Sequence, residues 1–231
     1  MHRFLSSKIR QTQSNVFTSV MRSNRFSSSV PEDLVTKLAF VGGGQMAEAI
    51  LNSVIKDKVQ STRNIHIYDT NFERVKYLAE KYDITPSYDV QSCVDKAEIV
   101  VVAVKPQNID ELAESLETPP EGLILSIVAG CTISNLRNKF RTKKIMRTMP
   151  NTPSMIAEGI TVWTTTKETS KELRDKGEKL ISSIGDQVQV SNEKYLDMAT
   201  AISGSGPAVR TIPPSFTYIF YTISYTSVCT Y

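Results

Sequence analysis

One short stretch constrains this chain more than any other. Leu38-Ala39-Phe40-Val41 is an unbroken apolar run that stops at Gly42-Gly43-Gly44, after which Met46, Ile50, Val54 and Ile55 recur near helical spacing. Gly42-x-Gly44-x-x-Ala47 therefore lies between a predicted strand and a helix predicted over residues 46–58, the context a dinucleotide-binding turn requires. Gly42 permits the tight turn. Gly44 has no side chain to hold backbone away from a pyrophosphate. Ala47 lets helix and strand pack closely, and the helix N-terminus offers unpaired N–H groups to phosphate.

The alternation continues along the chain. Ile65-His66-Ile67-Tyr68 reads as a strand, followed by a helix through Phe72, Val75, Leu78 and Ala79. Residues 99–104 and 123–128 are apolar runs typical of strands covered on both faces. Helices are expected over residues 108–116, 133–140 and 167–183, and strands over 144–147, 160–164 and 187–190. The pattern predicts an α/β fold, a doubly wound, Rossmann-like and mostly parallel sheet. Residues 37–200 would form this NAD(P)-binding domain, with residues 1–36 before it and an atypical tail over 201–231.

Charge separates the N-terminal stretch from the rest. Residues 1–31 hold five basic residues, eight serines and no acid. Without them the net charge of +3 becomes −2, since 22 basic residues face 24 acidic ones. Nothing in that balance calls for nucleic acid. The Arg- and Ser-rich, acid-free start resembles an organelle transit peptide, mitochondrial before plastid; the alternative is a disordered tail with no address on a cytoplasmic protein. No apolar run is long enough to span a membrane. Cys93, Cys131 and Cys229 are too scattered for a zinc site or a disulfide scaffold.

Several residues stand at strand ends, where ligands bind in open parallel sheets. Asp69, ending the second strand, is placed either to accept hydrogen bonds from an adenosine ribose, favouring NADH over NADPH, or to cap the next helix. Arg74, slightly more than one helical turn on, is a possible phosphate ligand. Val104-Lys105-Pro106 should end a strand and line the crevice. Lys105 is either a proton donor or a solvated lysine, and Pro106 fixes the turn. Ile127-Val128-Ala129-Gly130 would bring small residues to the nicotinamide. Met149-Pro150-Asn151-Thr152-Pro153 reads as a rigid polar turn.

Phe40-Val41-Gly42-Gly43-Gly44-Gln45-Met46-Ala47, Ala103-Val104-Lys105-Pro106, Ala129-Gly130, Met149-Pro150-Asn151-Thr152-Pro153 and Ser203-Gly204-Ser205-Gly206-Pro207-Ala208 occur in one order. Over residues 37–208 the chain resembles pyrroline-5-carboxylate reductase. The resemblance implies hydride transfer from NADPH or NADH to the C=N carbon of 1-pyrroline-5-carboxylate, giving L-proline. It places Gly42, Gly44, Gln45 and Met46 at the pyrophosphate, with Ala47 completing the coenzyme motif. Ala103, Val104, Lys105, Pro106, Val128 and Ala129 would lie along the coenzyme, and Asn151 near the reacting centre in an orienting role. Asp69 falls where such enzymes vary, so coenzyme choice stays open.

The tail departs from this pattern. The family continues into a helical domain that forms the dimer and grips the substrate. Here Val209-Arg210-Thr211-Ile212-Pro213-Pro214 leads into an aromatic, acid-free run to Tyr231. The expectation is a truncated chain with weak coenzyme binding and little turnover. The alternatives are a non-catalytic NAD(P)-binding fragment, or another imine or hydroxy-acid reductase with the same coenzyme domain.

Overall fold

The computed structural model describes residues 33–200. Expectations for residues 1–32, 203–208 and 209–231 lie outside the described residues. Among the described residues eight strands form one sheet: β1 Leu38–Val41, β2 Ile65–Tyr68, β3 Thr85–Pro86, β4 Ile99–Val102, β5 Leu123–Ser126, β6 Ile145–Pro150, β7 Gly159–Thr165 and β8 Gly185–Gln189. Their order is β3-β2-β1-β4-β5-β6-β7-β8. All neighbours from β3 to β6 pair in parallel, β6 and β7 pair antiparallel, and β7 and β8 pair in parallel. The fold is thus the expected mostly parallel, Rossmann-like sheet.

The helices are α1 Gln45–Lys56, α2 Phe72–Tyr82, α3 Val90–Val94, α4 Ile109–Glu114, α5 Ile133–Phe140, α6 Lys171–Ser182 and α7 Lys194–Ala199. Alternation along the strands divides the core between the two faces of the sheet. Leu38 and Phe40 pack with Ile50, Leu51 and Val54 of α1, Val75 and Leu78 of α2, and Leu180 of α6. Ala39 and Val41 face the other way, toward Cys93 of α3, Leu112 of α4, and Leu136 and Phe140 of α5. Burial on both faces explains why β1, β4 and β5 read as continuous apolar runs.

Several expected boundaries move. β4 stops at Val102, so Val104-Lys105-Pro106 lies beyond the strand rather than ending it. β5 stops at Ser126, where its pairing with β4 ends, which leaves residues 127–130 as loop. Met149 and Pro150 belong to β6, opposite Val162 and Thr161 of β7, so the turn begins at Asn151. Pro150 is tolerated because the ladder to β5 has already ended at Arg147. The connection from Pro150 to Gly159 is also shorter than the dozen or so residues a parallel crossover needs, so β7 runs back antiparallel. Helix α6 starts at Lys171, not 167, because the Ser170 side chain accepts the Leu173 N–H and caps it.

Candidate functional site

The turn after β1 is built by two glycines with different tasks. Gly42 has φ +100°, and its N–H donates to the Tyr68 carbonyl at 2.8 Å. A Cβ there would lie 2.7 Å from the Ala103 carbonyl carbon and oxygen. The chain therefore turns directly against the segment leaving β4. Successive strands are laid outward from β1 to β3 on one side and from β4 onward on the other. The glycine turn thus sits at the topological switch point of the sheet, where such folds open a crevice.

Gly44 is exposed and stands at the N-cap of α1, with no side chain capping the helix. A Cβ placed there meets nothing within 4 Å. Backbone at the start of α1 is therefore open to a ligand, with the positive end of the helix dipole behind it. Gln45 is exposed, Met46 is half-buried against the core, and Ala47 is buried. This open, uncapped cradle has the donors and the space that a dinucleotide pyrophosphate needs.

Charged side chains hold the middle glycine. Asp69 accepts the Gly43 N–H on Oδ2 at 2.7 Å and the Asn71 N–H on Oδ1 at 2.8 Å. It does not cap α2; Asn71 does, accepting the Arg74 N–H. The alternative role weighed for Asp69 is therefore corrected, and its carboxylate is held at the glycine turn. Arg74 donates from Nε to the Gly43 carbonyl at 2.7 Å and from Nη2 to Glu48 Oε2. Glu48 also accepts from Lys81 Nζ at 2.8 Å and from the Tyr82 hydroxyl at 3.0 Å. Burial raises the Glu48 pKa, but the hydrogen bonds from Lys81, Arg74 and Tyr82 outweigh it and bring it from 4.5 to about 2. Glu48 is thus ionised yet neutralised, and its charge does not oppose an anion at the helix start.

The second wall follows β4 and β5. Ala103 and Val104 are half-buried, Lys105 and Pro106 exposed. Pro106 opens a 3₁₀ turn over Pro106–Asn108, the role expected of it. Ala129 is half-buried and reachable, whereas Val128 is only 3% exposed and packs in the core with Cys131 and Leu136. The expectation that Val128 lines the cleft is corrected for its side chain, because that wall's apolar core claims it.

Asn151 is half-buried. Its Oδ1 accepts the Ile160 N–H at 3.0 Å and the Ser154 hydroxyl at 3.4 Å. The side-chain carbonyl therefore shapes the turn itself. The 3₁₀ turn that follows, Thr152–Ile156, packs against α1 and β7, which brings the Asn-Thr-Pro segment beside the helix of the glycine turn.

Sequence reasoning missed two things here. One is the Glu48–Arg74 pair, whose members lie 26 positions apart. The other is Arg147 on β6, with a side chain 3% exposed, which bonds Glu193 at 2.6 Å and Asp197 at 2.7 Å. Glu193 also accepts the Ile133 N–H at 2.7 Å, so one arginine ties α7 and the start of α5 to the sheet. The i,i+4 spacing of Glu193 and Asp197 on one helix face was the available signal. A wide-open depression of about 450 Å³ beside α5 is lined by Ile133, Ser134, Arg137, Asn138 and Glu193. With Glu193 already committed, it offers less chemistry than the switch-point cleft.

Comparison with known proteins gives a consistent picture. A family model described as NADP oxidoreductase, coenzyme F420-dependent, matches residues 37–130. Over 173 residues the chain is 34% identical to a pyrroline-5-carboxylate reductase of Synechocystis, covering 74% of this chain and 64% of that protein. A Haemophilus influenzae protein of the same name is 35% identical over 174 residues, with 74% and 64% covered. Among solved structures, a pyrroline-5-carboxylate reductase from Coxiella burnetii superposes with TM-score 0.69 at 28% identity, covering 81% of this chain and 67% of that one. A Plasmodium falciparum pyrroline carboxylate reductase with NADP bound gives 0.66 at 25% identity, with 82% and 67% covered. Reductive aminases from Aspergillus terreus share the fold at 11% identity. The chain spans just under two thirds of the length of the curated relatives it matches.

Proposed function

We propose that this chain carries the coenzyme-binding part of a pyrroline-5-carboxylate reductase and works in the reduction of 1-pyrroline-5-carboxylate to L-proline with NADPH or NADH. One observation carries the reading: the open Gly44 backbone at the uncapped start of α1, in a turn whose Gly42 lies against Ala103 at the switch point. The relatives' names supply the substrate, and the Plasmodium structure the dinucleotide.

When bound, NADPH or NADH would supply a hydride for the C=N carbon, with the proton for the ring nitrogen drawn from water. This chain's own residues bind and align. Gly44, Gln45, Met46 and Ala47 hold the pyrophosphate with backbone donors and the helix dipole, and Gly42, its own N–H given to Tyr68, shapes the turn that presents them. Asp69 meets the adenosine ribose. Ala103, Val104, Lys105 and Pro106, with Ala129 opposite, form the walls along the nicotinamide half. Asn151 keeps the Asn-Thr-Pro turn rigid beside the cleft. Alignment and exclusion of water are what an already electrophilic imine most needs.

The test is a proline-forming assay on the purified chain. Oxidation of NADPH or NADH with pyrroline-5-carboxylate should be matched by proline on amino-acid analysis. Coenzyme binding without turnover would leave a binding protein and remove the enzymatic reading. Absence of both would remove the coenzyme site as well.

The basic, acid-free N-terminal stretch supports delivery to mitochondria. Residues 1–36 fused to a fluorescent protein should carry it there, and diffuse fluorescence would count against that address.

A further inference from the structure

The coenzyme site proposed above is the premise here. NADH and NADPH differ at the ribose 2′ position, a hydroxyl in one and a phosphate in the other. A carboxylate at the end of β2 suits the hydroxyl, and a guanidinium nearby suits the phosphate. Both groups flank Gly43. From the point where a Cβ on Gly43 would stand, Arg74 Cγ is 3.3 Å away and Asp69 Oδ2 is 3.5 Å away.

The Arg74 guanidinium is already engaged. Nε is spent on the Gly43 carbonyl, Nη2 on Glu48, and the group lies 5.2 Å from the centre of the Tyr77 ring. Glu48 is itself fixed by Lys81 and Tyr82. It therefore cannot follow Arg74 outward without breaking two further bonds. With Nε and Nη2 committed and its charge offset by Glu48, the guanidinium is held in place and is a poorer phosphate ligand than a free one.

We infer that Glu48 is a selectivity residue for the coenzyme: by pinning Arg74 against the glycine turn, it withholds that guanidinium from a ribose 2′-phosphate and leaves Asp69 to govern the choice. Glu48 touches no part of the ligand in this scheme. It is a positioning residue acting through Arg74.

Equilibrium binding of NAD⁺ and NADP⁺ to the full chain, by titration calorimetry, tests this without any turnover. Glu48→Gln keeps the shape and removes the charge. It should raise affinity for NADP⁺ relative to NAD⁺ by about tenfold, the scale of one hydrogen bond between charged groups. The gain should shrink as salt is added. The double variant Glu48→Gln/Arg74→Gln should return the ratio to that of Arg74→Gln alone, because the effect runs through the arginine. Glu48→Asp keeps the charge one methylene short and should give a smaller rise, which serves if the Gln variant does not fold. An unchanged ratio in both Glu48 variants, or an equal rise in the double variant, overturns the proposal. If the wild-type chain binds neither nucleotide, the site reading fails and takes this inference with it.

Discussion

Gly42 and Gly44 sit two residues apart and should fail differently. An added methyl at Gly42 collides with Ala103 backbone and imposes an unfavourable φ. Gly42→Ala should therefore lose at least about 2 kcal/mol of stability, read as a lower midpoint in urea unfolding. The same methyl at Gly44 enters open space where φ is −65°. Gly44→Ala should lose no more than about 1 kcal/mol, the scale of a weaker N-cap, yet bind NADH and NADPH more weakly, since only the ligand meets the methyl. Equal loss of stability in the two variants would contradict this division. The division itself was legible in the sequence, because a glycine spacing between a strand and a helix carries its own stereochemistry. The anchoring of Asp69 on Gly43 was not, since hydrogen-bond partners 26 positions apart leave no local trace.

Elements were legible in proportion to their length and regularity. β1, β2, α2 and α5 lie where apolar spacing put them, and α1 begins one residue earlier than expected. β3, with two residues, and α3, with five, are too short to show a period and went unseen. The reversal at β7 depends on the length of a connection rather than on strand composition. The junction of α1 and α2 has a pH dependence of its own. Glu48 has its pKa lowered from 4.5 to about 2 in the fold. A lowered folded-state value means the carboxylate stabilises the protein fully above the unfolded pKa, and that contribution fades as pH falls from 4.5 toward 2. Between about pH 7 and pH 3, the wild-type Tm should therefore fall further than that of Glu48→Gln. Parallel declines would mean that the Lys81, Arg74 and Tyr82 contacts do not hold in solution.

At the scale of the molecule, the two large apolar clusters lie on opposite faces of one sheet, so the helices of each face depend on the same strands. That dependence makes unfolding of the glycine turn apart from the rest costly, and it keeps the turn in place for its ligand. The sheet's borders have a separate consequence. One border is β3, two residues long and containing Pro86, which lacks a backbone donor. The other is β8, with Asp186 and two glutamines, one of them tied back to Trp163. Among the described residues, neither margin gives a foreign strand a long, clean row of partners. Growth of the sheet by lateral addition is thus discouraged at both ends, and copies of this domain that do associate are expected to meet through helices.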